Sequence, residues 1–476
     1  MSDFKQMADE LVGKSRIASA VFNELDQAQT DKIVEAVCKA AVKNRVKLAK
    51  LAAEETKLGV WQHKVIKNFV ASQLVYESIR DEKTAGIIAK NEITGITEIA
   101  QPMGPILGVI PITNPTSTVM FKSLICLKSR NPIIISPHSR ALGCSGEAAR
   151  ICYEAALEAG APDDCVQWLS VCDRDLTHEL MTHPKLALLL ATGGPGLVKA
   201  AYSSGTPAYG VGSGNVPVFI EKSADIKFAV ENIILSKTFD NGTVCASEQA
   251  IVVETNQADA VRSEFERQGC FFMTDEQMSK VEKIVINPKS GLMSAAVVGQ
   301  SAKKIAELSE IDIPDNTKIL MAPQTSIGKD YPFSGEILAP VLAFYVGKDF
   351  SDALKICVDL NYRGGIGHTA SIYSNDENKV DQFAELMNAG RVVVNTPSSQ
   401  GGVGGIYNML KTSLTLGCGA GGKNITTENV SARHLINIKR LCHRRDNVRM
   451  QRITEEMFCD ESIDYDQLAS AYNRNL

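Results

Sequence analysis

The sequence predicts an α/β protein with two domains, each built on a mostly parallel β-sheet. Unbroken apolar runs of strand length recur along the chain, and most are followed by a turn and a stretch with helical spacing. Strands of a parallel sheet show such runs because helices cover both faces of the sheet. The alternation starts a second time at Val216, so we place the boundary between the domains after residue 212.

The N-terminal 80 residues have the apolar spacing of amphipathic helices. Apolar residues recur three and four positions apart, so we expect a covering layer of helices without catalytic residues. Residues 93–101 follow, and their alternation of apolar and polar side chains predicts an exposed strand.

Three apolar runs, at residues 105–111, 131–136 and 186–192, predict strands of the first domain. An Asn-Pro pair at Asn114 follows the first run, a glycine-rich turn follows the third, and both lead into helices. Ligands of an open parallel sheet lie beyond the carboxyl ends of the strands, so these turns are candidate ligand contacts. Strands of the second domain are predicted at residues 216–220, after Cys245, and at residues 294–298, 338–345, 371–373 and 391–395.

The composition excludes some classes of partner. The 476 residues carry 50 Lys and Arg against 55 Asp and Glu, a formal net charge of -5, which predicts no nucleic-acid partner. No apolar run approaches the roughly 20 residues of a membrane span, and the N-terminus lacks a signal-peptide pattern. We expect a cytoplasmic protein without membrane contact.

The twelve cysteines form no CxxC pair and no Cys/His cluster at zinc-ligand spacing, which predicts free thiols and no metal site. Cys245 has a distinctive context, because the turn-forming residues 240–242 precede it and a buried strand follows it. Small neighbours leave room for a carbonyl, and nearby backbone N–H groups could stabilise the oxyanion formed by attack. The residues alone equally fit an inert core thiol, the commoner role of a free cysteine.

The segment from Asp240 to Gln249 resembles the nucleophile segment of the CoA-acylating aldehyde dehydrogenases, especially the aldehyde dehydrogenase half of the bifunctional aldehyde/alcohol dehydrogenases. The similarity extends from the N-terminal helices to about Arg440. It implies two three-layer α/β domains with a small oligomerisation hairpin, in a homodimer or homotetramer. The implied parts are a dinucleotide-binding domain (1–212 with part of 406–440), a catalytic domain (213–405) and oligomerisation elements (93–103 and 412–435). Residues 441–476 lie beyond the resemblance, and their basic and acidic clusters predict a C-terminal surface extension.

The resemblance also implies a reaction. Cys245 would attack a small aldehyde, the side-chain amide of Asn114 would hold the oxyanion, hydride would pass to NAD or NADP, and CoA would release the acyl group as co-substrate. His368 would assist proton transfer with CoA or line the cleft, and Thr113 would contact the substrate. Without the resemblance, Asn114 fits a turn or capping residue and His368 a structural histidine.

The resemblance places the nicotinamide cofactor against several turns. At the position of the adenosine ribose, no carboxylate is available to repel a 2′-phosphate, so NAD and NADP stay open. The glycine-rich turn could offer backbone N–H groups to the pyrophosphate. The expected contacts are Ser136, His138, Thr192, Gly193, Gly194, Gly212 and, at the nicotinamide ribose, Glu336.

A missing residue distinguishes the chain from hydrolytic aldehyde dehydrogenases. Those enzymes carry a water-activating glutamate in the segment that corresponds to residues 210–217, and Val211 falls at or near that position here. Without a base aimed at water, the acyl-enzyme should persist until a thiol such as CoA attacks it.

The aldehyde itself stays open between acetaldehyde and an anionic aldehyde. Residues 416–424 lack a tryptophan of the acetaldehyde-type relatives and gain Lys423, which could bind an anion such as the sulfonate of sulfoacetaldehyde or could be a surface lysine. Two other functions remain, an acyl-phosphate-linked semialdehyde reductase of the same fold and a structural or filament-forming module. We expect the protein in the cytoplasm, freely or inside a bacterial microcompartment.

Overall fold

The structure is a computed structural model that describes residues 3–287 and 293–473. Its N-terminal part is the expected layer of helices, and a π-helical turn, Val70–Leu74, joins the last two of them. No helix within the described ranges is long and apolar enough to cross a membrane. The helices are α1 (Asp3–Glu24), α2 (Gln27–Lys43), α3 (Arg45–Thr56), α4 (Trp61–Phe69) and α5 (Val75–Ile79).

An antiparallel hairpin follows, made of β1 (Gly86–Asn91) and β2 (Ile96–Pro102). The strand expected at residues 93–101 therefore begins three residues later. The side chain of Asn91 accepts the backbone N–H groups of Ile93 and Thr94, each at 3.0 Å, and so turns the chain before β2 begins.

The first parallel sheet has five strands, and its elements alternate as the sequence predicts. They are β3 (Ile106–Val109), α6 (Pro115–Lys128), β4 (Ile133–Ser136), α7 (Leu142–Glu158), β5 (Val166–Trp168), α8 (Arg174–Met181), β6 (Leu188–Thr192), α9 (Pro195–Tyr202) and β7 (Ala208–Val211). The strands are all parallel and lie in the order β5-β4-β3-β6-β7. The chain adds β4 and β5 on one side of β3 and then β6 and β7 on the other side. This change of side opens a crevice between β3 and β6 at the carboxyl edge of the sheet, where ligands of such folds bind.

The second parallel sheet and its helices comprise β8 (Val216–Ile220), α10 (Ile226–Thr238), β9 (Glu248–Glu254), α11 (Ala258–Arg267), β10 (Cys270–Phe272), α12 (Asp275–Val285), α13 (Ala302–Ser309), β11 (Ile319–Pro323), β12 (Val341–Gly347), α14 (Phe350–Arg363), β13 (Gly367–Tyr373), α15 (Glu377–Leu386), β14 (Ala389–Val394) and α16 (Ser398–Val403). The seven strands lie in the order β10-β11-β12-β9-β8-β13-β14. Every neighbouring pair is parallel. Two parallel sheets covered by helices confirm the predicted fold class.

Residues 294–298 were expected as a strand, and the structure shows mainly turns there. Val297 is fully buried in the core of the second sheet, so the apolar character of this run serves packing without a place in the ladder.

The chain ends in a strand and two short helices, β15 (Ile436–Cys442), α17 (Glu455–Cys459) and α18 (Tyr465–Asn473). β15 pairs antiparallel with β2 and completes a small three-stranded sheet. The segment 412–435, expected to contribute to oligomerisation, contains short 3₁₀ turns, and the strand begins only after it.

Candidate active site

The carboxyl edge of the first sheet faces the amino edge of the second sheet across a cleft with a cavity volume of about 510 Å³. The turns after β3 and β6 line one wall, and the segments before β8, β9 and β12 line the other. The sequence predicted ligands beyond the carboxyl ends of the strands. The first sheet lines the cleft with its carboxyl ends, whereas the second sheet lines it with its amino ends. Among the expected site residues, the cleft is lined by Thr113, Asn114, His138, Thr192, Gly193, Gly194, Gly212, Cys245 and Glu336.

A left-handed turn between α10 and β9 presents Cys245. The φ angles of Asp240, Asn241 and Gly242 are +51°, +54° and +72°. A left-handed residue other than glycine costs on the order of 1 kcal/mol, so this turn needs support from its surroundings. Part of the support comes from the side chain of Asn241, which donates to the carbonyl oxygen of Gly299 at 2.9 Å.

The buried carboxylate of Asp240 supplies the main anchor. It accepts hydrogen bonds from the backbone N–H of Val60 at 2.7 Å, from Nζ of Lys64 at 2.9 Å, from Nζ of Lys67 at 2.5 Å and from Oγ1 of Thr243 at 2.9 Å. Burial alone would raise the pKa of the Asp240 carboxyl, but the two ammonium groups hold that pKa below its ordinary value. Helix α4 and the residue before it therefore hold the nucleophile turn.

A second, smaller cavity of about 50 Å³ lies on the other side of Cys245. Cys245 and Asn114 line both the cleft and the small cavity, so these two residues lie where the cavities adjoin. The small cavity is mostly apolar. Its remaining lining residues are Lys67, Val70, Phe239, Val244, Ser399, Gln400, Val403, Ile406, Leu414 and Leu416.

The amide of Asn114 has a defined orientation. Its Oδ1 accepts from Nζ of Lys67 at 2.6 Å, and its Nδ2 donates to Oγ1 of Thr113 at 3.1 Å. An amide nitrogen carries two N–H groups, so one remains available for an oxygen that develops beside Cys245. This geometry fits the oxyanion role predicted for Asn114.

The surroundings of Cys245 favour the protonated form of its thiol. Burial raises its pKa to about 12, with further contributions from the Glu336 carboxylate and the Cys418 thiol, while the Arg391 guanidinium acts in the opposite direction. The sulfur must therefore lose its proton when it attacks.

The cleft contains groups that fit a dinucleotide. Burial raises the pKa of Glu336 to about 7, and its Oε1 accepts the backbone N–H of Gly214 at 2.9 Å. The hydroxyl of Thr192 is buried without a hydrogen-bond partner among the described residues. Open space lies where a side chain would stand at Gly194 and Gly212. An unpaired hydroxyl and open backbone at a helix N-terminus suit a diphosphate and its ribose.

Three expected site residues lie outside the linings of both cavities. His368 is fully buried, its Nδ1 lies 2.9 Å from Oγ1 of Thr369, and its Nε2 has no partner within the described structure. Burial, followed by the Arg391 guanidinium, lowers the pKa of His368 to about 3, so its imidazole is neutral. Ser136 is buried at the end of β4.

Lys423 is exposed and follows a 3₁₀ turn, Ala420–Gly422. Its position does not support the hypothesis that it adds a cation to the substrate pocket, because it lines neither cavity beside Cys245.

The sequence did not reveal the roles of Lys64, Lys67, Asp240 and Arg391. The two lysines were assigned to a covering layer, and Asp240 was read only as a turn residue. Arg391 is buried, and its guanidinium donates to the carbonyl oxygens of His368 and Gly417. The sequence contains one signal for the two lysines: their three-residue spacing places Lys64 and Lys67 on the same face of a helix. Solvent-exposed lysines often have this spacing too, so it does not indicate burial.

Comparison with known proteins agrees with this geometry. A model of the aldehyde dehydrogenase family matches residues 4–408. The bifunctional aldehyde-alcohol dehydrogenase AdhE of Escherichia coli K12 is 46% identical over 452 residues, which are 94% of this chain and 50% of that protein. The acylating sulfoacetaldehyde dehydrogenase of Bilophila wadsworthia is 37% identical over 429 residues, 89% of this chain and 92% of that protein. The chain thus spans about half the length of its bifunctional relatives.

Solved structures give the same result. The acetylating aldehyde dehydrogenase of Geobacillus thermoglucosidasius has a TM-score of 0.91 and 46% identity, covering 93% of this chain and 97% of that one. A propionaldehyde dehydrogenase of Rhodopseudomonas palustris, solved with bound CoA and an acylated cysteine, has a TM-score of 0.82 and 26% identity, covering 92% and 97% of the two chains.

Proposed function

The chain belongs to the aldehyde dehydrogenase family, and from this premise we propose that it is a CoA-acylating enzyme that oxidises a short, uncharged aldehyde. One observation carries the proposal. Cys245 lines both a small apolar cavity and a large cleft, and Val211 lines that cleft. By the resemblance, Val211 stands at or near the position of the water-activating glutamate of hydrolytic enzymes. An acyl group on the sulfur then waits for a thiol.

The residues present can carry out the covalent steps. The sulfur of Cys245 gives up its proton to solvent and bonds to the carbonyl carbon, and the resulting oxyanion is held by Nδ2 of Asn114 and the backbone N–H of Cys245. A bound nicotinamide would supply the acceptor for the hydride that leaves this carbon as the Cys245 thioester forms. The CoA thiolate then bonds to the acyl carbon, and the sulfur of Cys245 leaves.

The small cavity supports a short substrate. A group the size of water occupies ~10–15 Å³, so about four such groups fill its 50 Å³. The cation in its wall, Lys67, is already paired with Asp240. We therefore propose an aldehyde of two or three carbons without an anionic group, such as acetaldehyde.

The lining of the cleft bears on the choice between NAD and NADP. His138 is one of its residues, and Glu336 is the only carboxylate among the described lining residues. Since the resemblance places Glu336 at the nicotinamide ribose, nothing in this lining repels a 2′-phosphate. We propose that NAD and NADP are both accepted.

We also propose a homodimer or homotetramer assembled through the three-stranded sheet. Ile87, Ile438 and Leu441 of this sheet are 63%, 40% and 50% exposed, and β15 lies at its edge. Exposed apolar side chains beside an open strand edge favour pairing with another chain. Light scattering should give a mass above that of one chain, and a monomer would contradict this assignment.

Reduction of NAD and NADP with aldehydes of two to five carbons and sulfoacetaldehyde, with and without CoA, tests the proposed reaction. We expect CoA-dependent turnover that is fastest with two or three carbons. Cys245→Ala should abolish turnover, whereas Cys172→Ser, at an exposed cysteine, should retain it. Free acid formed at full rate without CoA would refute the acylating assignment.

A further inference from the structure

We propose that Lys67 is a positioning residue that fixes the amide of Asn114, so that its N–H points at the oxyanion formed on attack by Cys245. The inference rests on the proposed function only in requiring that Cys245 attacks a carbonyl. Any acyl donor that passes through an oxyanion can therefore test it.

The contacts of the Lys67 ammonium account for its three N–H groups. Nζ lies 2.6 Å from Oδ1 of Asn114, 2.5 Å from Oδ2 of Asp240 and 2.8 Å from Oγ1 of Thr243. The side chain is 7% exposed, so water offers little alternative. A flipped Asn114 amide would direct its NH₂ group at the ammonium, and that repulsion excludes the flipped orientation.

The same contact makes the amide a better donor. Hydrogen bonds in a chain polarise one another, so a cation at Oδ1 strengthens the N–H donors at Nδ2. Burial lowers the pKa of Lys67 to about 8, the neighbouring Asp240 carboxylate acts in the opposite direction, and the ammonium remains the main form at pH 7. Two lysines and one carboxylate thus form a cluster with a formal charge of +1, and Lys67 joins this cluster to the amide of Asn114.

Lys64 provides a matched control. It lies on the same helix, is 3% exposed and donates to the same Oδ2 of Asp240 at 2.9 Å. Its other contact is the carbonyl oxygen of Thr113 at 3.4 Å, and Asn114 is not among its hydrogen-bond partners. Loss of Lys64 removes a comparable anchor from the turn and leaves the contact to the amide intact.

The experiment compares two reactions of Cys245 in Lys67→Met and Lys64→Met. With 4-nitrophenyl acetate, the sulfur bonds to the ester carbon through an oxyanion, nitrophenolate leaves and the thiol proton passes to solvent. With iodoacetamide, the sulfur bonds to carbon as iodide leaves, and no oxyanion forms. We expect Lys67→Met to slow the nitrophenolate burst by about 10- to 100-fold relative to alkylation, because it weakens an oxyanion donor.

Lys64→Met should keep the wild-type ratio of the two rates. The double variant Lys67→Met/Asn114→Ala should react no more slowly than Asn114→Ala alone, because both substitutions remove the same oxyanion interaction. If Lys67→Met does not fold, Lys67→Gln, which can still donate one hydrogen bond to Asp240, takes its place.

An equal loss of both reactions in Lys67→Met, the same ratio change in Lys64→Met, or additive losses with Asn114→Ala would overturn the inference. These outcomes are independent of the proposed function, which fails instead if wild-type aldehyde oxidation does not require CoA.

Discussion

Replacement of Gly214 by alanine should slow the reaction of Cys245 although the cysteine itself is unchanged. A methyl group at Gly214 would stand 2.1 Å from the carbonyl oxygen of Cys245 and 3.2 Å from Nδ1 of His368. The φ angle of Gly214 is not in the left-handed region, so alanine is permitted by the backbone and excluded by space alone. The loop cannot easily retreat, because the Gly214 N–H is bonded to Glu336.

The distances set the size of the effect. The Cys245 carbonyl must move by about 1.3 Å to reach an ordinary contact of 3.4 Å. A misplacement of about 1 Å in a catalytic geometry can cost 10²-fold in rate, so we expect the rate constant for attack by the Cys245 sulfur to fall by about 100-fold. Overpacking of this kind should also lower the free energy of unfolding by about 1–3 kcal/mol.

The rate constant of the nitrophenolate burst measures this effect without cofactor or CoA. Gly212→Ala is the control, since a methyl group there meets nothing within 4 Å and should leave the burst unchanged. A folded Gly214→Ala protein that reacts within threefold of the wild-type rate would show that the close approach does not position the sulfur.

Three further changes probe the cofactor site, the buried ion cluster and the substrate cavity. Because burial raises the pKa of Glu336 to about 7, its carboxylate forms as the pH rises from 6 to 8, and KM for the nicotinamide cofactor should fall by about tenfold. In Glu336→Gln, KM should not change with pH, and a retained dependence would assign it to another group. Asp240→Asn leaves two buried ammonium groups unpaired and should lower the free energy of unfolding in urea at pH 7 by about 3–5 kcal/mol. Since the Asp240 pKa is depressed, this difference should persist above about pH 4 and shrink as the pH falls through the folded-state value; a pH-independent difference would contradict the pairing. Leu416→Ala widens the small cavity and should raise the ratio of kcat/KM for butanal to that for acetaldehyde by about 10-fold or more. The control Leu386→Ala, at an exposed position, should keep the wild-type ratio. Equal ratios in the two variants would show that Leu416 does not limit the length of the substrate.

The sequence predicted what depends on local pattern. The apolar runs at 105–111, 131–136 and 186–192 became β3, β4 and β6, because strands buried on both faces need unbroken apolar residues. The resemblance around Cys245 named the family correctly, and most expected cofactor and catalytic residues line one cleft. Their individual roles remain predictions.

Contacts between distant segments could not be read in advance. Asp240 and Lys67 are separated by 173 residues, and the spacing of a lysine on an amphipathic helix does not tell whether it meets water or a buried carboxylate. Lys423 lines neither cavity beside Cys245, and its role as a substrate contact remains a prediction. The apolar run at 294–298 shows that burial alone does not require a strand.

The anchoring of the Asp240 turn by helix α4 limits how the protein can be recombined. A segment 213–405 moved into a related enzyme would carry its cysteine and its sheet, but it would depend on the recipient for Val60, Lys64 and Lys67. Chimeras that exchange this segment together with residues 59–67 should retain a reactive thiol, while exchanges that separate the two should lose it. Helix α4 and the Asp240 turn should therefore be exchanged together in any chimera.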